Sequence, residues 1–132
     1  MSGKNLVKIG GAINLLFVVF HLSFWSIYGW PQSLACLAVT ERAIMQVLNI
    51  HTAYVLGVFA FLSMAFSGEL TTTRLGRSIS VAIGVFWILR AVNQAVFWGI
   101  SPFVCWAIIA VCLGIAALYF TPLMYKGNVD KL

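Results

Sequence analysis

Four apolar stretches, at about residues 7–28, 44–66, 79–98 and 103–119, take up most of a 132-residue chain, and all three acids, Glu41, Glu69 and Asp130, lie between or beyond them. Each stretch can cross a hydrocarbon layer of ~30 Å at 1.5 Å per residue as a helix, the fourth only just. Lys8 stands at the edge of the first stretch, and Arg90 is the one charge deep inside any of them. The rest of the composition agrees: 62% of residues are apolar and 8% charged, with a mean hydropathy of +1.01. Eleven charged side chains cannot clothe a 14.5 kDa globule in water, which excludes soluble enzymes and nucleic-acid readers. The expected fold is all-α, an integral membrane four-helix transmembrane bundle forming one domain over residues 1–132. The first stretch follows two lysines, as a secretory signal would, but its apolar run is too long and no small-x-small cleavage site follows, so it reads as a retained span.

Charge gives the direction. Lys4, Lys8, Arg74, Arg77, Lys126 and Lys131 sit in the two tails and the 67–78 loop, whereas the 30–40 loop has no basic residue and the Gly99–Pro102 turn is uncharged. Four crossings put both termini on one side, and the basic residues make that side cytoplasmic. The net charge of +5 is therefore orientation rather than affinity for a polyanion, and the expected location is a bacterial inner membrane. Trp25, Tyr28, Trp30, Trp98 and Trp106 crowd the outer ends of three spans, where amphipathic rings settle. Pro31 and Pro102 fall at or just outside helix starts, and Gly68 and Gly127 follow helix ends. Small residues at helical spacing, Ala53/Gly57/Ala60 and Ala110/Gly114/Ala117, permit close helix contact.

Polar groups inside the spans are few, and each is costly in hydrocarbon unless partnered. His21 lies nine residues before Trp30, His51 nine after Arg42, Arg90 eight before Trp98, and Cys112 ten after Pro102. At 1.5 Å per residue all four reach one layer, roughly 12–15 Å below the outer surface. On the third span Phe86, Trp87, Arg90, Asn93, Gln94 and Phe97 share a face that should look into protein. On the first, Asn14, His21 and Tyr28 fall seven apart in a polar stripe. The second span divides: Arg42, Gln46 and Asn49 go with Ala53 and Gly57, while His51 and Tyr54 point the other way. Such a helix meets partners on two sides, or turns one polar set to a second protein.

Arg90 is the strongest signal, because a guanidinium does not deprotonate and no acid shares its depth. It either bonds to Asn93, Gln94 and helix-end carbonyls and reaches towards Glu41, or it receives an anion from elsewhere. The anion classes that fit are a substrate carboxylate or phosphate, a lipid headgroup, a haem propionate, a thiolate at Cys112, and an acid on a partner subunit.

His21 and His51 admit a metal reading, as two axial ligands of a b-type haem, although hairpin helices at 8–10 Å leave little room for a porphyrin between them. A bare zinc or copper site on His21, His51 and Cys112 is chemically allowed, and Arg90 opposes it. The odd count of three cysteines contains no C-x-x-C pair; Cys105 and Cys112 are too far apart along one helix to bridge, while Cys36 and Cys105 lie on the same side, where a disulfide is feasible. With no acid in the layer, no Ser-His-acid set can be assembled, and phosphate loops and H-E-x-x-H are absent.

The resulting expectation is a small binding or accessory membrane protein holding an anionic or lipid-like ligand, or a partner helix, through Arg90, Asn93, Gln94, His21, His51, Asn49 and Tyr54, with Gln46 and Cys112 nearby. Membrane lipids, a membrane-protein partner or a second copy of the chain are the partner classes, and nucleic acid is not among them. Two rivals stand beside it. One is a b-type cytochrome with haem b on His21 and His51; the other is a membrane enzyme using either histidine as acid or base on a lipid substrate.

Overall fold

The computed structural model of the chain describes residues 2–98 and 103–126. Its elements are α1 (Gly3–Leu22), α2 (Phe24–Ile27), α3 (Val39–Ala65), α4 (Ser67–Thr72), α5 (Arg74–Trp98) and α6 (Phe103–Lys126), with one 3-10 turn at Gln32–Leu34. Four of these helices, α1, α3, α5 and α6, are long and apolar enough to cross a membrane. No strand occurs among the described residues. The 99–102 turn with Pro102, and Gly127, Asp130 and Lys131, lie outside them.

The spans were expected at their apolar limits, but the helices overrun those limits. The second begins at Val39 rather than near 44, and the third at Arg74 rather than near 79. Charged residues end an apolar stretch without ending a helix, since long side chains reach water from a helix that continues past the hydrocarbon edge. Glu41 even helps α3 to start: its carboxylate accepts the Ala38 N–H at 3.2 Å, next to the positive end of the helix dipole. The opposite happens on the first span, where the helix stops at Leu22 and restarts at Phe24. Ser23 makes that break. Its N–H is shared between the Val19 and Phe20 carbonyls at 3.0 and 3.2 Å, and its hydroxyl donates to the Phe20 carbonyl at 2.7 Å. Gly68, expected just after a helix end, instead lies in the first turn of α4.

α1 packs along α3, α5 packs along α6, and α1 against α6 joins the two pairs, with α4 wedged against α5 and α1. Only 22% to 33% of the most apolar 18 residues of each long helix are buried, so most side chains, Leu16, Phe97 and Phe103 among them, look outward. That distribution suits an apolar solvent. In lipid the helices gain little by hiding leucines from one another, and close packing and hydrogen bonds must hold them together.

Both occur at the end of the bundle that carries the N-terminus and α4. A Cβ at Gly10 would lie 2.8 Å from the Tyr119 ring, one at Gly11 2.8 Å from the Ser63 Cβ, and one at Gly84 2.6 Å from the Phe120 ring. Into the space left by Gly10 the fully buried Tyr119 sends its hydroxyl, which accepts the Asn14 Nδ2–H at 2.9 Å and shares a 2.7 Å bond with Ser63. Asn14 donates also to the Gly10 carbonyl at 2.8 Å and accepts the Trp87 Nε1–H at 3.2 Å. One buried network therefore touches all four long helices.

The small-residue stripes behave differently from expectation on the fourth span. On α3, Ala53 and Ala60 are buried and Gly57 is half-buried, but on α6 Ala110, Gly114 and Ala117 all face outward. Close approach needs a small residue on only one of two surfaces, and Gly10 and Gly84 on the partner helices provide it for Tyr119 and Phe120.

Candidate functional site

Beyond the Asn14 network, towards the Trp30 end, the helices part around a cavity of about 460 Å³, within the size range of small-molecule sites. All four long helices contribute. Its polar lining is His21, Thr52, Arg90, Asn93 and Cys112, and its aromatic lining includes Phe17, Phe20, Phe24, Phe86 and Trp87. Aromatic packing explains why the space stays open. Trp87, tied to Asn14, meets Phe17 edge-on with centroids 4.9 Å apart, and Phe86 meets Phe59 of α3 edge-on at 5.2 Å, so rings rather than small residues set the helix separation here. At the mouth, Phe24 stacks on the His21 ring at 5.0 Å and touches Tyr28 and Trp30 edge-on. Trp25 and Trp30, expected as separate interfacial anchors, also touch each other at 5.5 Å, as part of this cluster.

Arg90 lines the cavity half-buried. Of the partners that a structural role would use, the Glu41 carboxylate caps α3 and Gln94 packs against Cys105, its amide donating to the sulfur at 3.5 Å, while Asn93 lines the cavity beside Arg90. Among the described residues no acid pairs with the guanidinium. A fixed positive charge thus sits on the wall of an aromatic space, where low dielectric strengthens its pull on an anion.

His21 is held from outside the cavity by Asn49. The Asn49 Nδ2–H donates to the His21 carbonyl at 2.8 Å, which turns Oδ1 towards the ring, and Oδ1 accepts the His21 Nδ1–H at 2.6 Å. This bond selects the tautomer with the hydrogen on Nδ1, which leaves Nε2 as the ring's hydrogen-bond acceptor. Asn49 is therefore a positioning residue, buried at the α1–α3 contact. Asn49→Leu should lower stability by about 1–2 kcal/mol, since both links vanish and the Nδ1–H loses its acceptor. Reversible unfolding in mixed micelles measures it; a value equal to that of an outward-facing substitution such as Ile50→Leu would show the contact to be idle.

The other sequence candidates divide. Cys112 and Asn93 reach the cavity with Arg90 and His21. His51 does not. Its side chain is exposed, and its Nδ1–H donates to the Val47 carbonyl one turn back on its own helix, at 2.8 Å. The inward stripe of α3 is Asn49, Ala53, Leu56, Ala60 and Ser63, which leaves His51 and Tyr54 on the opposite side. His21 therefore lines the cavity and His51 does not, and no group of three or more His, Cys, Asp or Glu comes together among the described residues. Tyr54 lines instead an outward groove with Gly57 and Phe61, and Gln46 bonds to the Arg42 carbonyl one turn back at 3.2 Å. Gln94 is 1% exposed and packs away from the cavity, against Cys105, and its Oε1 has no partner among the described residues. Phe97, expected on the same inward face, is outward, because the buried stripe of α5 runs through Ile83, Trp87, Ala91 and Gln94. Cys36 is exposed and Cys105 buried, both as free thiols.

Thr52 was not anticipated at the site, because a threonine in a helix reads as neutral; Ser63 and Tyr119 were missed as network members for the same reason. Tyr119, a polar-tipped ring seven residues after Cys112, carried the only available signal. No protein-family model, curated protein or solved structure matches this chain.

Proposed function

We propose that this is a small membrane protein that binds an anionic, lipid-like ligand within the bundle, with Arg90 as the charge that receives it and a membrane lipid as the partner. One observation carries the reading: a guanidinium without an acid partner among the described residues, on the wall of an aromatic cavity of about 460 Å³. Its planar fork matches a carboxylate or phosphate, and the site costs least when an anion neutralises it. His21 Nε2 accepts a hydrogen bond from a hydroxyl or protonated oxygen of the same ligand, and Phe17, Phe20 and Phe24 exclude water. The orientation belongs to the same reading. Lys4, Lys8, Arg74 and Arg77 gather at the end holding the N-terminus and α4, which makes that end cytoplasmic and puts the cavity in the outer half of the bilayer.

The test is the lipid that travels with the protein. Extracted in mild detergent and analysed by mass spectrometry, the wild-type protein should retain an anionic amphiphile near one per chain, and Arg90→Gln should retain about tenfold less, the equivalent of about 1.4 kcal/mol. Equal retention by both would overturn the assignment of Arg90.

A further inference from the structure

A second depression lies beside the cavity and shares a wall with it. It is a groove of about 470 Å³ between α1 and α6, walled by Leu16, Val104, Ala107 and Val111 and floored by Phe17, Phe20 and Ile108, the last three of which also line the cavity. Arg90 is the one polar residue in its lining and belongs to both spaces. Its rims are outward-facing: Leu16 is 69% and Val104 63% exposed. The groove exists because α1 and α6 are drawn together at Gly10 and Tyr119 and diverge beyond that contact, one helix pair wide.

We infer that the ligand is a single-chain anionic amphiphile, whose carboxylate or phosphate sits at Arg90 and whose one hydrocarbon tail lies in the groove between α1 and α6, entering sideways from the bilayer. The inference rests on the assignment of Arg90 as an anion site and adds the tail. An apolar channel ending at a lone cation is complementary to a molecule with one charged end and one chain. It suits neither a neutral lipid, which would leave the guanidinium unpaired, nor a small aqueous anion, which has nothing to place along Leu16 and Val111. The groove offers room for one tail, and the rest of the cavity wall carries the polar set of His21, Thr52, Asn93 and Cys112 among its aromatic rings and Leu56 and Leu89.

Ala107 lines the groove and not the cavity, and its side chain is exposed, so Ala107→Trp fills the channel without touching the Arg90 pocket or the core. The experiment uses the protein in phosphatidylcholine nanodiscs and equilibrium dialysis of radiolabelled probes, with binding to empty nanodiscs subtracted. Dodecanoate and dodecyl phosphate test the chain-bearing anion from its two sources, and butyrate and inorganic phosphate test the head alone. Ala107→Trp should weaken the preferred dodecyl probe about tenfold and leave the matching short anion unchanged, while Arg90→Gln should weaken both. Whichever dodecyl probe binds tighter identifies the headgroup. If Ala107→Trp leaves dodecyl binding intact, or weakens long and short probes alike, the tail site is wrong and the Arg90 site stands. If Arg90→Gln changes neither probe, the anion site itself falls, and the tail assignment with it.

Discussion

Asn14→Leu should cost the fold about 2–4 kcal/mol, although the side chains are similar in size and the leucine would sit more comfortably in lipid. The amide is fully buried and serves three partners on three helices: the Gly10 carbonyl of its own helix, the Tyr119 hydroxyl of α6 and the Trp87 N–H of α5. Leucine leaves the indole N–H with no acceptor and takes one of two bonds from Tyr119, which keeps Ser63. A buried donor without a partner costs about 1–3 kcal/mol, more than the average interhelical bond in a membrane returns when both partners are removed together. Two controls separate the causes. Ser63→Ala removes a single bond and should cost less than half as much. Adding Trp87→Phe to Asn14→Leu removes the orphaned N–H and should recover part of the loss. Unfolding by dodecyl sulfate in mixed micelles, followed by circular dichroism, reads all three. If Asn14→Leu proved neutral, the network would be incidental to helix association, and the glycine contacts alone would hold that end of the bundle.

How much of this was legible in the sequence follows from what each kind of signal depends on. The four long apolar helices were legible because hydrophobic length is a property of the local chain; their ends moved where Glu41, Arg74 and Arg77 stop the apolar run but not the helix, and the first broke at Ser23, inside its apolar run. Of His21, His51, Arg90 and Cys112, counted to one depth along separate helices, three line one cavity and His51 does not. Direction around the helix was less secure. On α3 the angular separation of Asn49 from His51 was correct, yet which of the two meets His21 depends on where α1 packs, and no local pattern states that. On α5 the polar stripe through Arg90, Asn93 and Gln94 does not mark the inward face, because packing at Gly84 and Trp87 turns that face away from Phe97. The Ser63–Tyr119 link joins residues 56 apart in sequence, and nothing local pairs the two, so only the assembled bundle reveals it.

The glycines supply a contrast of comparable size. Gly76 and Gly114 each sit in a long helix, where replacing glycine by alanine gains about 1 kcal/mol of helix propensity. At Gly114 nothing lies within 4 Å of the added methyl, so Gly114→Ala should be neutral or stabilising by up to about 1 kcal/mol. At Gly76 the methyl would run into the Glu69 carbonyl and the Leu70 Cα, which are backbone and cannot swing aside as a ring can. The elbow between α4 and α5 is also pinned on both sides of the clash. Ser80 donates to the Leu70 carbonyl at 3.0 Å, and the Thr73 hydroxyl donates to the Glu69 carbonyl while accepting the Gly76 N–H, each at 3.0 Å. Relief requires α5 to move off α4 and break those bonds. Gly76→Ala should therefore destabilise by about 2–3 kcal/mol even after its propensity gain, at the upper end for one added methyl. The same mixed-micelle unfolding compares the two variants directly. Equal stabilities would mean that the elbow yields freely, and that α4 follows α5 rather than fixing where α5 begins.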